Sequence, residues 1–502
     1  MLQAIRDKKL IVLALAAGAL LAVLTNRLIL SDNAISPDEK ANLISAKIMS
    51  EGKLSIPSPP DNEFYSFNSD NVVNDNKYYG MYPPGWPLFL SLGLLAGWPA
   101  AVNLVFEAMT LALVYKIGRR MYSHTAGITA ALLMGTSPLV IFNTASYFPH
   151  ASMLFFITLF TYVYLGELDS KKPVRYAILG AILGIAFNIR PLDAVAVGAC
   201  FLMHYLATLA GRAKTGSLQA GREIASAAFF AGALAVFLAI FLLYNQTQTG
   251  DALLTPFSKY NPENAISFRL DWRQLQSMLW IATSILKALA GWLSYSPAIF
   301  LGLLYAKEKL KGTALLLFIT PIALIASYSF YVSAGGYQYG PRYIYSSASG
   351  VFILIAGGLE WVKGRNNKIF YACLASAIVI NAIVYAAAAP VFRDIINVKK
   401  AVYDTVNERN ISNAVIFLEK RGKGMTFLPM PAGDFTSIDF FNDPIVYASD
   451  MGEDNRILMQ DYPGRRGYLW KCDLSSERVD WLEVYHIRIV NCTLTQLNAS
   501  TV

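Results

Sequence analysis

The residues with the clearest chemical potential are Asp38 and Glu39, in the run Ser36-Pro37-Asp38-Glu39. Ser36 can cap a helix, Pro37 suits its first position, and Glu39 can return a hydrogen bond to the cap. Read alone, this is a helix start. The same cap would also hold Asp38 rigidly, where a carboxylate can take a proton from an acceptor hydroxyl. The following segment carries Leu43, Ile44, Ile48 and Met49 on a broad apolar face, as a helix lying in a membrane interface would. Nothing in the sequence requires a metal or another cofactor. Asp38 and Glu39 could together hold a divalent cation through their oxygens.

Cations and aromatics elsewhere suit an anionic partner. Arg342 sits in Gly335-Gly336-Tyr337-Gln338-Tyr339-Gly340-Pro341-Arg342-Tyr343, where glycines permit close approach and a guanidinium matches phosphate oxygens. A snorkelling anchor at a helix end is the alternative role. Arg190, just before Pro191, is a second candidate for phosphate, or else an interface anchor. His150 follows Pro149 and could contact phosphate or acceptor, or simply begin a helix. Tyr78 to Pro87, which contains Tyr82, forces an irregular turn whose aromatics suit the headgroup level. No Cys/His cluster has zinc spacing. Cys472 and Cys492 are expected on the oxidising side, where a disulfide is permitted but not required.

The elements that must position these residues are membrane spans. The chain has 502 residues, 55% hydrophobic and 15% charged, with a mean hydropathy of +0.40. That is too apolar for a soluble protein. A net charge of +8 could suggest nucleic acid, but the Lys and Arg residues cluster between apolar stretches, so no nucleic-acid partner is expected. The clusters are Arg6/Lys8/Lys9, Lys116/Arg119/Arg120, Lys171/Lys172/Arg175, Arg212/Lys214/Arg222, Lys307/Lys309/Lys311 and Lys363/Arg365/Lys368. They are spaced as alternate loops of a bundle whose N-terminus is cytoplasmic. The expected spans are 10–30, 99–118, 124–142, 150–167, 176–189, 192–210, 224–244, 288–305, 313–331, 343–361 and 369–389. Eleven spans place the residues after Pro390 outside the cytoplasm, together with 31–98 and 245–287. A single tilted helix over 176–210 would invert the later loops, against the positions of their cations. Within 245–287, the stretch beginning at Asp271 suits an interfacial helix. The tail 390–502 changes to alternating runs, NAVIFLE, DPIVYAS and WLEVYHIRIV, which predict strands of a small mixed domain.

Pro-Asp-Glu at the start of the first outer loop, Tyr82-Pro83-Pro84-Gly85-Trp86-Pro87-Leu88, and Tyr339-Gly340-Pro341-Arg342-Tyr343 together resemble the GT-C glycosyltransferases. Within that superfamily the chain looks like the bacterial proteins grouped with protein O-mannosyltransferases and the aminoarabinose transferase of lipid A. The resemblance implies a polytopic α-helical membrane protein: a GT-C-type bundle of about eleven transmembrane helices over 1–389, with a small C-terminal extracytoplasmic α/β domain over 390–502. It also implies inverting transfer from a polyprenyl-phosphate sugar to a lipid, glycan or protein acceptor outside a bacterial inner membrane. Asp38 then matches the catalytic acid, with Glu39 beside it. Arg342, Arg190 and Tyr82 fall to the donor phosphate, and His150, Tyr339 and Tyr343 to substrate. Tyr82 stands where many aminoarabinose transferases have Lys, which leaves the donor sugar open. Two other classes share the composition. A transporter or flippase of lipid-linked sugars should concentrate polar residues at the membrane midplane, and a noncatalytic envelope assembly protein would need no rigid carboxylate.

Overall fold

The computed structural model describes residues 16–65, 71–170, 172–262, 312–330, 338–419, 443–482 and 484–497, with scattered positions between 272 and 283. The expected span 288–305, the interfacial stretch from Asp271, the Lys307/Lys309/Lys311 cluster, the basic N-terminus and residues 335–337 lie wholly or largely outside these.

The chain opens with α1 (Ala16–Ile29), whose last five residues form a π turn. Helix α2 (Pro37–Ser50) follows, then β1 (Ile56–Pro57), β2 (Val72–Asp75) and β3 (Lys77–Gly80), which pair antiparallel in the order β1-β3-β2. This sheet lies close on α2. A Cβ on Gly80 would collide with the carbonyl oxygen of Ala41, and the Gly80 N–H donates to Ser45 Oγ at 3.0 Å. The bundle continues through α3 (Gly85–Leu95), α4 (Ala101–Met121), α5 (His124–Gly135), α6 (Pro138–Ala145), α7 (His150–Ser170), α8 (Arg175–Ile189), α9 (Pro191–Lys214), α10 (Ala220–Thr249) and short α11 (Pro256–Tyr260). After the gap come α12 (Thr313–Tyr328), a 3-10 turn (Arg342–Ser347), α13 (Ala348–Lys363) and α14 (Asn367–Glu408).

Among the described residues, five helices are long and apolar enough to cross a membrane, or six if α5 and α6 form one bent span. The expected continuous span 124–142 is therefore corrected: α5 and α6 meet at a 59° bend. Pro138 has no N–H to continue the ladder, so the chain breaks at Thr136-Ser137. The expected span at 343–361 likewise begins as a 3-10 turn, with a regular helix only from Ala348. Helix α3 falls inside the expected outer loop 31–98. Trp86 Nε1 near its start donates to the Tyr147 carbonyl, and Asn103 just after it donates to those of Ser146 and Phe148. The starts of α3 and α4 thus meet the same turn, Ser146 to Phe148.

The expected division at residue 389/390 is also corrected at the level of secondary structure. Pro390 lies inside α14, a continuous helix of 42 residues. Beyond it, Val391, Phe392, Ile395, Ile396, Val398, Val402 and Val406 are buried on one face. That packing outweighs the roughly 3 kcal/mol an interior proline costs. The four-stranded sheet then forms from β4 (Ala414–Leu418), β5 (Ile445–Ser449), β6 (Arg466–Val479) and β7 (Val484–Gln496), in the order β5-β4-β6-β7, with α15 (Asn455–Asp461) between β5 and β6. Strands β4, β5 and β7 fall on the three runs read from the sequence. The sequence did not signal β6, whose second half is mostly exposed and polar. Cys472 and Cys492 lie opposite each other on β6 and β7 and form a disulfide.

Candidate active site

The predicted cap forms in full. Ser36 Oγ accepts from the Asp38 N–H at 3.1 Å, Pro37 occupies the first turn, and Glu39 Oε2 accepts from the N–H groups of Ile35 and Ser36, each at 3.0 Å. Glu39 does more than close the cap. Its Oε1 accepts from the Tyr147 N–H at 2.9 Å, which ties α2 to the turn between α6 and α7. Burial pushes the Glu39 carboxyl up to about 7, against the pull of those three N–H donors and the nearby Lys399 charge. Glu39, expected beside the catalytic acid, is fully buried, and both its oxygens face backbone N–H groups. The two carboxylates therefore do not converge on a cation. Among the described residues, no group of three or more His, Cys, Asp or Glu side chains could hold a metal.

Asp38, one residue earlier on the helix, turns the other way. Its Oδ2 accepts from Arg342 Nη1 at 2.5 Å and its Oδ1 from Asn71 Nδ2 at 2.5 Å. Gly340 makes the approach of Arg342 possible, because its φ of 99° turns the chain where a side chain would be strained. The guanidinium carbon of Arg342 stands 5.3 Å from the Phe148 ring and 5.9 Å from that of Tyr343. Asn71 Nδ2 also reaches Tyr82 Oη at 3.2 Å.

A second set surrounds Arg190. Its Nε bonds Asp193 Oδ2 at 3.0 Å, its Nη2 bonds Tyr328 Oη at 2.5 Å, and its Nη1 bonds His150 Nδ1 at 3.1 Å. Arginine can only donate, so His150 Nδ1 accepts and the neutral ring carries its proton on Nε2. Asp193 also accepts from the Tyr328 hydroxyl and, at 2.7 Å, from Ser346 Oγ. Tyr328 stacks on Tyr343 with ring centres 4.1 Å apart, joining the two sets.

Asp38, Tyr82, His150, Arg190, Arg342 and Tyr343 all line one cavity of about 540 Å³. Six of the eight residues singled out in the sequence are thus brought together. Tyr339 is not: it is buried against Phe142, Phe148 and Phe392, and its carbonyl holds Asn143 Nδ2 at 2.9 Å. Sequence reasoning missed Asn71, Asp193 and Tyr328. Asp193 had a signal, the three-residue spacing from Arg190 on a helix start. Asn71 and Tyr328 had none, since nothing in the sequence shows which loop or span end will face Asp38 or Arg190.

Residues 86–241 match the family model described as dolichyl-phosphate-mannose-protein mannosyltransferase. No curated protein matches the chain in sequence. Among solved structures, ArnT from Cupriavidus metallidurans bound to undecaprenyl phosphate is similar over 98% of each chain, at 12% identity and a TM-score of 0.56. The same protein in the apo state matches over 98% of each chain at 11% identity, again with a TM-score of 0.56. At that identity the likeness is one of fold. Together with the family model it bears out the resemblance to GT-C membrane glycosyltransferases carried by the short motifs.

Proposed function

We propose that the protein transfers a sugar from a polyprenyl-phosphate donor to a hydroxyl acceptor on the extracytoplasmic face of a bacterial inner membrane, with inversion. The observation that carries this reading is the placement of Asp38 and Arg342 in contact, on the wall of one cavity that also holds Arg190, His150 and Tyr82. A single displacement needs a base for the acceptor proton and a cation for the departing phosphate. Here both are present within one site.

The acceptor oxygen attacks the anomeric carbon of the donor sugar, and the bond from that carbon to the phosphate oxygen breaks. The electron pair leaves on the lipid phosphate, and the hydroxyl proton passes to Asp38. Arg342 meets the phosphate with two N–H groups, and that contact strengthens as negative charge grows on the leaving oxygen. Arg190 is the second cation within reach, and Tyr82 offers a hydroxyl where related enzymes carry Lys. His150 lines the cavity with its ring, while its Nε2–H is buried without a partner among the described residues. Residues 1–389 supply the membrane part of the site, and the sheet after α14 stands on the outer side. The donor phosphate draws Arg342 off Asp38, so the base is released only when the donor is bound.

The test is transfer by the purified protein in lipid nanodiscs from a panel of undecaprenyl-phosphate monosaccharides. Acceptors are drawn from the lipids, glycans and proteins that mass spectrometry finds altered in cells without the gene. Release of undecaprenyl phosphate with an inverted sugar linkage is expected for at least one donor. Retained configuration, or no release from any donor, refutes the reading.

A further inference from the structure

We infer that Asn71 is a positioning residue for Asp38, holding the carboxylate in place when the donor takes Arg342 away; this rests on the function proposed above. Among the described residues Asp38 has two side-chain partners, one per oxygen, and they differ in what a phosphate would do to them. Arg342 is a cation that an anionic donor competes for. Asn71 is neutral, so the donor leaves its bond to Oδ1 intact.

Asn71 is itself held from several directions. Its carbonyl accepts from the Met81 N–H at 2.9 Å, its own N–H donates to Tyr260 Oη at 3.2 Å, and its amide reaches Tyr82 Oη. Its φ of 59° is a left-handed conformation that asparagine tolerates better than most residues. Three pieces of chain therefore converge on this residue: α2 and the turn after β3 on its side-chain amide, and that turn and α11 on its backbone. The amide can donate only from its nitrogen, so its orientation toward Asp38 Oδ1 is fixed by chemistry. The charged and titratable groups that face Asp38 are Arg342 and Tyr343 from the 3-10 turn and Tyr82 after β3, with His150 and Arg190 across the cavity. Once Arg342 is engaged with phosphate, Asn71 is the remaining side-chain donor to the base among the described residues.

Asn71→Gly keeps the backbone conformation and removes the amide. Asn71→Asp keeps the shape and replaces the donor with a like charge. A charge-assisted hydrogen bond to a carboxylate is worth about one pH unit or more in its acidity. The acid limb of turnover against pH should therefore move up by about one unit in Asn71→Gly and further in Asn71→Asp, with donor KM unchanged. A merely structural role would lower stability and turnover at every pH and leave the limb in place, which would overturn the inference. Infrared titration without substrate separates this from failure of the proposed function. The carboxyl band that disappears in Asp38→Asn should titrate at higher pH in Asn71→Gly than in the natural protein. An unshifted band overturns the role of Asn71 even in an active enzyme. A shifted band in a protein that transfers nothing leaves Asn71 in place and removes the glycosyltransferase reading.

Discussion

The cavity is lined by members of two ion pairs, and the difference between them lies in what surrounds each carboxylate. The Asp38 side chain is 22% exposed, with Asn71 on one oxygen and Arg342 on the other. The Asp193 side chain is 1% exposed and takes Arg190, Tyr328 and Ser346. A carboxylate closed in by donors cannot take a proton from a substrate without breaking the structure around it. One that faces an open cavity can. In the proposed mechanism the same pairing of residue types serves as reactive chemistry at one place and as scaffold at the other, sorted by burial and donor number. Glu39 extends the lesson, because it adjoins Asp38 in the chain yet behaves like Asp193.

The largest expected effect would test the reactive side. Asp38→Asn should lower single-turnover transfer by roughly 10² to 10⁴-fold while folding and donor affinity hold. Near-normal turnover would put Asp38 with Asp193 as scaffold and erase the contrast. On the other side, Asp193→Ala strands Arg190 as an unpaired buried charge and should cost about 3–5 kcal/mol of stability. Thermal unfolding in matched nanodiscs measures it, and an unchanged midpoint would mean that Arg190 relaxes freely.

Arg342→Lys sharpens the comparison further, because Lys keeps the charge and loses the fork. Donor affinity should fall about tenfold for Lys and more for Ala. An Arg that served only as an interface anchor would let Lys bind donor as well as before. The last effect is on stability alone and concerns Glu39. Its folded carboxyl is raised from 4.5 to about 7, so its contribution to stability is fully present below 4.5 and is lost as pH rises through about 7. The slope between those values should approach about 1.4 kcal/mol per pH unit. Glu39→Gln should flatten it, and a slope that survives the substitution would assign it to another group.

The sequence alone determined the membrane class, the capped helix that carries Asp38 and the strand runs of the tail. Each rests on local physics: length of apolar runs, capping chemistry and period-two alternation act over a few residues. It also named six residues that share the cavity, through short motifs and the family resemblance those motifs carry. Tertiary structure alone decided where each side chain faces. Asp38 and Glu39 differ by one step along a helix, about 100° of rotation, which sends one to the cavity and the other to the Tyr147 turn. It also decided that α14 runs through Pro390, since the apolar face that compensates the proline has value only against partners distant in sequence. Asn71 reaches Asp38 across 33 residues and Arg342 across 304. No local pattern encodes separations of that size, because the energy that selects them comes from packing the whole bundle around the cavity.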